Sequence, residues 1–345
     1  MLFSIVIPCY NVADILERAV NSISDQLEAD YEIILIDDNS TDETWELIKK
    51  IGLSNKNVKF FQNQTNKGPG FSRNLGILYA TGQYIGFLDS DDNYCSGIFN
   101  QIKTTIEERK PDIIKFGVRE LFSHETRHFN KEKSSSFFYS KKKVDIFLKV
   151  IQLELLPLFG YAANSFYRRN LLLNNSIYFP PNLKFYEDFF FNIDVIKKVD
   201  SFVFLDFIGY DYDKTRSISL SHNKPHNFYV LSLHRVKSLV SLAEEVNCLQ
   251  KAKDDLRMLM TRTICSCLVY SFESGSSFRN SFNLLNDFYS DPVVTMLYDD
   301  SQKANLVHSI LNFILKKRMK LTLISLSYFL FIFKAKFKNL FNFLK

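Results

Sequence analysis

Near-continuous apolar runs rich in Ile, Val and Phe recur through the first ninety residues, at 3–8, 32–37, 58–62 and 84–88. Unbroken apolarity of that length, bounded by polar turns, predicts strands buried on both faces. Between them lie segments of helical period: 12–26, with Ile15, Leu16, Ala19, Val20 and Ile23 on one face, then 41–51 and 71–81. Strand alternating with helix predicts a parallel sheet covered by helices. The run Ser40-Thr41-Asp42-Glu43 fits a capping box at the start of the second helix, and Gly82 fits the stop of the third.

Past Asp92 the pattern loosens into α+β character. Residues 131–143 (KEKSSSFFYSKKK) are charged and Ser-rich, as a solvated loop would be. A strand-like run at 202–207 precedes a Tyr-, Asp- and Ser-rich segment at 210–222. From 226 to 298 the pattern is helical, with apolar spacing at 229–242 and 256–270. No repeat of solenoid period is present. The organisation expected is an α/β domain over 1–222, a helical region over 223–300 and a basic amphipathic tail over 301–345.

The chain has 345 residues, enough for about two domains. With 46% hydrophobic and 23% charged residues it is of globular composition, which excludes collagenous, mucin-like and wholly disordered classes. Five cysteines, Cys9, Cys95, Cys248, Cys265 and Cys267, form no C-x-x-C pair, so neither a zinc ribbon nor a disulfide scaffold is supported. The first residues lack a basic segment and reach Tyr10-Asn11 before a signal peptide's apolar core of about 7–15 residues is complete. A reducing, cytoplasmic setting is expected. Nine of the 43 basic residues follow residue 300, where there is no acid, leaving 34 basic against 38 acidic ones before it. The body is therefore no nucleic-acid binder, and the tail points to an anionic membrane surface.

In open parallel sheets ligands bind at the carboxyl ends of the strands, where strand order reverses. The first strand runs into Pro8-Cys9-Tyr10-Asn11, the second into Asp37-Asp38-Asn39-Ser40 and the fourth into Asp89-Ser90-Asp91-Asp92. Five carboxylates on one rim repel one another unless a cation or donors compensate them. Asp37 reads best as a cap or turn residue. Asp89 and Asp91, an Asp-x-Asp after an apolar strand, present hard oxygen ligands suited to Mg²⁺ or Mn²⁺ with positions left for substrate phosphates. Neither G-x-G-x-x-G nor a Walker A sequence occurs, which removes the main support for a dinucleotide oxidoreductase or a P-loop NTPase. Arg73, at the start of the helix after the loop 66–70, adds a fixed cation nearby.

The run IVIPCYN…DDNSTDET…NKGPGFSRNLGILYATGQYIGFLDSDD closely resembles the nucleotide-sugar-binding half of family-2 glycosyltransferases of the GT-A fold, and YEDFFF at 186–191 resembles their Glu-Asp acceptor motif. The resemblance is strong over 1–95 and patchy to about 220. It implies a mixed α/β sheet, with Pro8, Tyr10 and Asp38 holding the nucleoside and Asp38 facing the base edge. It places Arg73 beside that pocket, and Asp89, Ser90 and Asp91 at ribose, metal and diphosphate. It makes Asp188 the catalytic base, and makes a UDP-sugar donor and a glycan or lipid-linked acceptor the expected partners. Asn39 stands where the family often has Gly. The segment 162–167 lacks the Trp and Lys that many members carry, so acceptor contacts cannot be copied. The sole Trp, Trp45, is expected in the core.

Glu187-Asp188 sits between Tyr186 and three phenylalanines, a collar that desolvates a carboxylate and raises its pKa toward a useful base. Acids also favour the first turn of a helix, and that reading stays open. One base and no separate nucleophile imply single displacement with inversion. Arg216 and His222 are read as a lid over the diphosphate, with His222 a further metal ligand, or as part of an exposed loop. A dehalogenase-type phosphatase would require D-x-D-x-T on the first strand, and Asn93 fills the Thr position. A catalytically inactive GT-A domain serving as a partner subunit is the remaining alternative. In the tail, Leu306, Val307, Ile310, Leu311, Phe313 and Ile314 precede Lys316-Lys317-Arg318, and the uncharged run 321–333 falls short of the roughly 20 residues a spanning helix needs. The expectation is a helix lying in the membrane interface, with a core helix as its rival.

Overall fold

A computed structural model describes residues 1–122, 126–129, 137–215, 224–275, 277–298 and 314–336. The chain divides into two compact units, Met1–Lys224 and Pro225–Lys345.

Among the described residues, the first unit is built on a ten-stranded mixed sheet. Its parallel half has the order β3-β2-β1-β4, from β1 (Phe3–Cys9), β2 (Tyr31–Asp37), β3 (Val58–Gln62) and β4 (Tyr84–Phe87). All residues of β1 and β2 are buried, as their unbroken apolarity predicts. The connections carry α1 (Leu16–Ser24), α2 (Thr44–Ser54) and α3 (Pro69–Tyr79). Helix α1 buries Leu16, Ala19, Val20 and Ile23, four of the five residues on the predicted face. Helix α3 approaches β1 so closely that a Cβ on Gly76 would lie 2.2 Å from a methyl of Val6.

Beyond β4 the sheet turns antiparallel. Strand β9 (Ser165–Arg168) pairs with β4 and with β6 (Ile113–Leu121), and β10 (Phe202–Asp213) runs parallel to β6. Three short strands complete it: β5 (Asn93–Tyr94) and β8 (Phe137–Ser140) against β10, and β7 (Thr126–Phe129) against β6. Helices α4 (Ile98–Arg109), α5 (Lys143–Leu155), α6 (Arg169–Asn174) and α7 (Glu187–Lys198) belong to this half.

Several local expectations are corrected. The expected capping box does not form at α2: Ser40 Oγ accepts the Asn11 N–H at 3.0 Å, and it is Asp42 Oδ1 that takes the N–H of Thr44, the first helical residue, at 3.0 Å. Helix α3 ends at Ala80, which is extended, so Gly82 does not stop it. Gly82 is needed because a Cβ there would lie 2.6 Å from the Phe3 carbonyl carbon. Phe137–Ser140, inside the expected loop, form β8, and 210–213 extend β10. Trp45 is half-buried, edge-on to Phe60, rather than in the core.

The second unit comprises α8 (Phe228–Glu245), α9 (Leu249–Glu273), α10 (Phe278–Ser290), α11 (Pro292–Tyr298) and, among the described residues of the tail, α12 (Lys320–Lys336). Helices α8 and α12 pack on α9. Buried Arg257 donates to the Leu297 carbonyl at 2.7 Å, tying α9 to α11. Helix α12 buries Leu323, Ile324 and Ser327 and exposes Leu321 (74%) and Phe329 (61%). Tyr328 packs on Phe272 and Phe278, centroids 5.2 and 5.0 Å away. Of the expected tail face, Ile314 is buried, while Leu306, Val307, Ile310, Leu311 and Phe313 lie outside the described residues. No helix among the described residues is long and apolar enough to cross a membrane.

Candidate active site

Strand order reverses between β1 and β4: β1 leads to β2 and β3 on one side, and the chain then returns to β4 on the other. Their carboxyl ends open a crevice of the kind that binds ligands in such sheets.

Two loops are stitched together at its mouth. The backbone amide of Asn11 donates to Ser40, Asn11 Oδ1 accepts the Thr41 N–H at 2.9 Å, and the Val12 N–H donates to Thr44 Oγ1 at 2.8 Å. Between these bonds and buried Pro8, the Tyr10 side chain is left 47% exposed. Asp37 closes a turn, accepting from the Ser40 N–H at 3.2 Å and from Gln62 Nε2 at 3.0 Å, with Asn39 left-handed at φ 63°. Asp38 is buried and committed to the loop before α3: Oδ1 accepts from Asn63 Nδ2 at 2.8 Å and the Lys67 N–H at 2.9 Å, Oδ2 from the Gly68 N–H at 2.7 Å. Gly68 stands at φ 87°, a region costly to any side chain, where the chain turns into α3.

The acidic loop after β4 is held from below. Asp92 is buried and accepts from Tyr210 Oη at 2.6 Å and the Asp213 N–H at 2.7 Å. Burial first, then the charges of Asp89 and Asp91, push its carboxyl well above the usual range. Arg18 of α1 donates to the Asp91 carbonyl at 2.6 Å and to Asp213 Oδ2 at 3.1 Å, tying the loop to the end of β10. Ser90 is buried; Asp89 keeps 36% of its side chain exposed.

Arg73 is the hub. Its guanidinium, 6% exposed, donates to Asp89 Oδ1 at 2.6 Å and to Asp188 Oδ1 at 3.1 Å, lies 3.8 Å from Glu187 Oε1, and sits 5.3 Å from the centre of the Phe179 ring. Its neighbour Asn74 grips the backbone of Phe179, accepting the N–H at 2.7 Å and donating to the carbonyl at 2.8 Å. Helix α3 therefore faces the acidic loop with one residue and fixes the approach to α7 with the next. Tyr186, left-handed at φ 64°, turns the chain into α7, and Glu187 and Asp188 occupy its first turn. Asp188 Oδ2 accepts the Ala162 N–H at 3.0 Å. Burial raises the Asp188 carboxyl against the opposing pull of Arg73, and burial with the Asp188 charge pushes Glu187 up to about 7.

The fold thus brings Arg73, Asp89, Glu187 and Asp188 into one ionic cluster, with Pro8 at the end of β1 and Tyr10, Asp38, Ser90 and Asp91 on neighbouring strand-end loops. Arg216 and His222 lie outside the described residues. Among the described residues no group of three His, Cys, Asp or Glu side chains is placed to hold a metal. Asp89 and Asp91 supply two hard oxygen donors on one loop, which suits a small divalent ion that fills its shell from water and a diphosphate. Sequence reasoning missed Arg18, the Ala162 amide and the buried polar residues Lys115, Asn164 and Asn192. For Lys115 a signal existed, a lone charge inside the apolar run of β6.

A mixed sheet opening at the ends of β1, β2 and β4 onto an acidic loop, with a Glu-Asp pair brought opposite, is the GT-A architecture. The chain belongs to glycosyl transferase family 2, whose model matches residues 4–174. It is 29% identical over 255 residues to the poly(ribitol-phosphate) beta-N-acetylglucosaminyltransferase TarS of Staphylococcus aureus (strain MW2), covering 72% of this chain and 42% of that protein. It is 28% identical over 205 residues to the uncharacterized glycosyltransferase EpsJ of Bacillus subtilis (strain 168), covering 59% of each. The chain thus spans about two fifths to three fifths of these relatives. Crystalline S. aureus TarS 1–349 in complex with UDP-GlcNAc shares the fold, with TM-score 0.69 and 21% identity over 94% of this chain and 91% of that one.

Proposed function

We propose that this chain transfers a sugar from a UDP-sugar to a hydroxyl of a glycan or lipid-linked acceptor, by single displacement with inversion. One observation carries the reading: Arg73 joins Asp89 on the donor rim to Asp188, which lies 115 residues after Arg73 in the chain, across one guanidinium. A donor-side carboxylate and a raised-pKa acid flank a single site.

The chemistry follows from these residues. Tyr10 offers a flat apolar surface to the uracil, and Asp38, its carboxylate fixed by three hydrogen bonds, accepts the N3–H. Asp89 and Ser90 face the ribose and diphosphate. Asp91 and Asp89 would hold a Mn²⁺ or Mg²⁺ ion, which when bound would supply positive charge opposite a departing diphosphate. Asp188, its carboxyl raised by burial and by the Asp89 charge, takes the proton of the acceptor hydroxyl, and Glu187 beside it has a supporting role. No second nucleophile is assigned, so attack by the acceptor inverts the anomeric carbon.

The full chain incubated with a panel of UDP-sugars and Mn²⁺ is expected to release UDP. Asp91→Ala is expected to lower turnover about 10²-fold and to weaken Mn²⁺-dependent UDP binding in calorimetry while leaving Tm unchanged. Failure to bind any nucleotide sugar, or undiminished and EDTA-insensitive turnover in Asp91→Ala, overturns the assignment.

The acceptor reading extends to α12. Its buried face packs inside the second unit, so it is no loose tail, but Leu321, next in the chain to Lys320, and Phe329 stay exposed. An apolar face bordered by cations suits the surface of an anionic membrane on its cytoplasmic side. Leu321→Asp with Phe329→Asp is expected to cut sedimentation with anionic vesicles at low salt about 10²-fold, since each side chain contributes about 1.5–3 kcal/mol when buried. Equal sedimentation of the double variant refutes the membrane role.

A further inference from the structure

Lys115 stands in the middle of β6, paired on one side with β9 and on the other with β10. It is 2% exposed, and an ammonium so placed is tolerable only if its N–H groups are all used. They are: Nζ donates to the Tyr161 carbonyl, Asn164 Oδ1 and Ser165 Oγ, each at 2.7 Å. The protonated amine has three N–H groups, one for each of these partners.

Every one of those acceptors lies within residues 161–165, and inside that span the Ala162 N–H donates to Asp188 Oδ2. Other bonds brace the same segment. Asn164 Nδ2 donates to the Phe116 carbonyl at 2.8 Å and the Leu158 carbonyl at 3.1 Å. Asn192, one helical turn after Asp188, donates to the Phe159 carbonyl at 2.8 Å and the Tyr161 carbonyl at 3.0 Å. The segment therefore touches α7 twice, once at the carboxylate and once a turn later, and Lys115 is the charged post that ties it to the sheet.

A second effect is electrostatic. The Lys115 charge favours the ionised form of Asp188, together with Arg73 and the Ala162 amide, while burial and Asp89 oppose it. Asp188 from α7 and Glu154 from α5 in turn hold the proton on Lys115 against the burial that pushes it down to about 7.

We propose that Lys115 is a positioning residue for Asp188, fixing the 161–165 segment so that the Ala162 amide sets the rotation of the carboxylate. This rests on the assignment of Asp188 as the base.

The test is steady-state kinetics of the full chain with its best UDP-sugar, as a function of pH. Lys115→Met, similar in length but uncharged, is expected to lower kcat about 10–100-fold, the scale of a misplacement near 1 Å, while UDP affinity stays within about twofold. Its acid limb should move to higher pH, because a cation that favours the carboxylate has gone. Ser165→Ala, which removes one acceptor and leaves the charge, is expected to lower kcat several-fold with no shift of that limb, and it serves if Lys115→Met does not fold. Wild-type kcat in Ser165→Ala, or a folded Lys115→Met with an unmoved limb, overturns the inference. If Asp188→Asn retains turnover, the base assignment itself falls; if Asp188→Asn collapses and Lys115→Met does not, only the role of Lys115 falls.

Discussion

Asp188→Asn is expected to lower kcat about 10²–10⁴-fold, the usual contribution of a positioned base, with UDP affinity close to wild type. The substitution keeps shape and removes proton acceptance. An Asn oxygen can face the Ala162 N–H or the Arg73 guanidinium but not both, so one of the bonds at 3.0 and 3.1 Å is lost. The pH profile separates lost basicity from lost orientation. If Asp188 is the base it must be deprotonated to act, burial raises its pKa, and kcat should therefore rise with pH along a limb shifted upward from that of an ordinary Asp. The Asn variant should lose that limb, whereas a variant that is merely misoriented keeps it. Near-normal turnover would move the assignment to Glu187, whose carboxyl is pushed up to about 7.

The frame of this site was legible because it is made of local patterns. Unbroken apolar runs mark β1 to β4, helical spacing marks α1 to α3, and carboxylates fall where those strands end. Local patterns also mislead where a distant partner competes. Ser40 reads as a helix cap, yet Asn11, 29 residues earlier, offers its backbone amide at 3.0 Å and takes the hydroxyl. Gly82 reads as a helix stop, yet its lack of a side chain serves contact with Phe3. Family resemblance singles out Asp188 as a candidate, but not the Ala162 amide that bonds to it, because a backbone donor leaves no residue type to recognise. Nor does sequence show that Asp38 is tied to residues 63–68, or that Arg73 and Asp188 meet. Both depend on closure of long loops, and no spacing rule covers them. Lys115 lies between these cases: a charge inside Ile113-Ile114-Lys115-Phe116 must find several acceptors, although their identity appears only once β9 is laid beside β6.

Arg73→Met is expected to be the most damaging single change in the first unit, for stability and turnover together. The guanidinium is nearly buried and is the shared cation of Asp89, Asp188 and Glu187. Removing one member of a buried ionic group leaves uncompensated charge and costs about 3–5 kcal/mol. The partial exposure of all three partners places this case at about the lower figure. The cost must also depend on pH, and its sign can be worked out. Arg73 pulls the pKa of Asp188 and Glu187 down against burial, so without it both rise further and the folded variant holds protons to higher pH. Stability falls with rising pH wherever the folded state binds more protons than the unfolded one. The deficit in Tm relative to wild type should therefore be small at pH 5, where the carboxyls can neutralise themselves, and should widen toward pH 8. Turnover fails at both ends: at low pH the base is protonated, and at high pH three carboxylates crowd a site that has to accept a diphosphate. A Tm deficit that is constant from pH 5 to 8 would mean that Arg73 acts through its packing on Phe179, not through its charge.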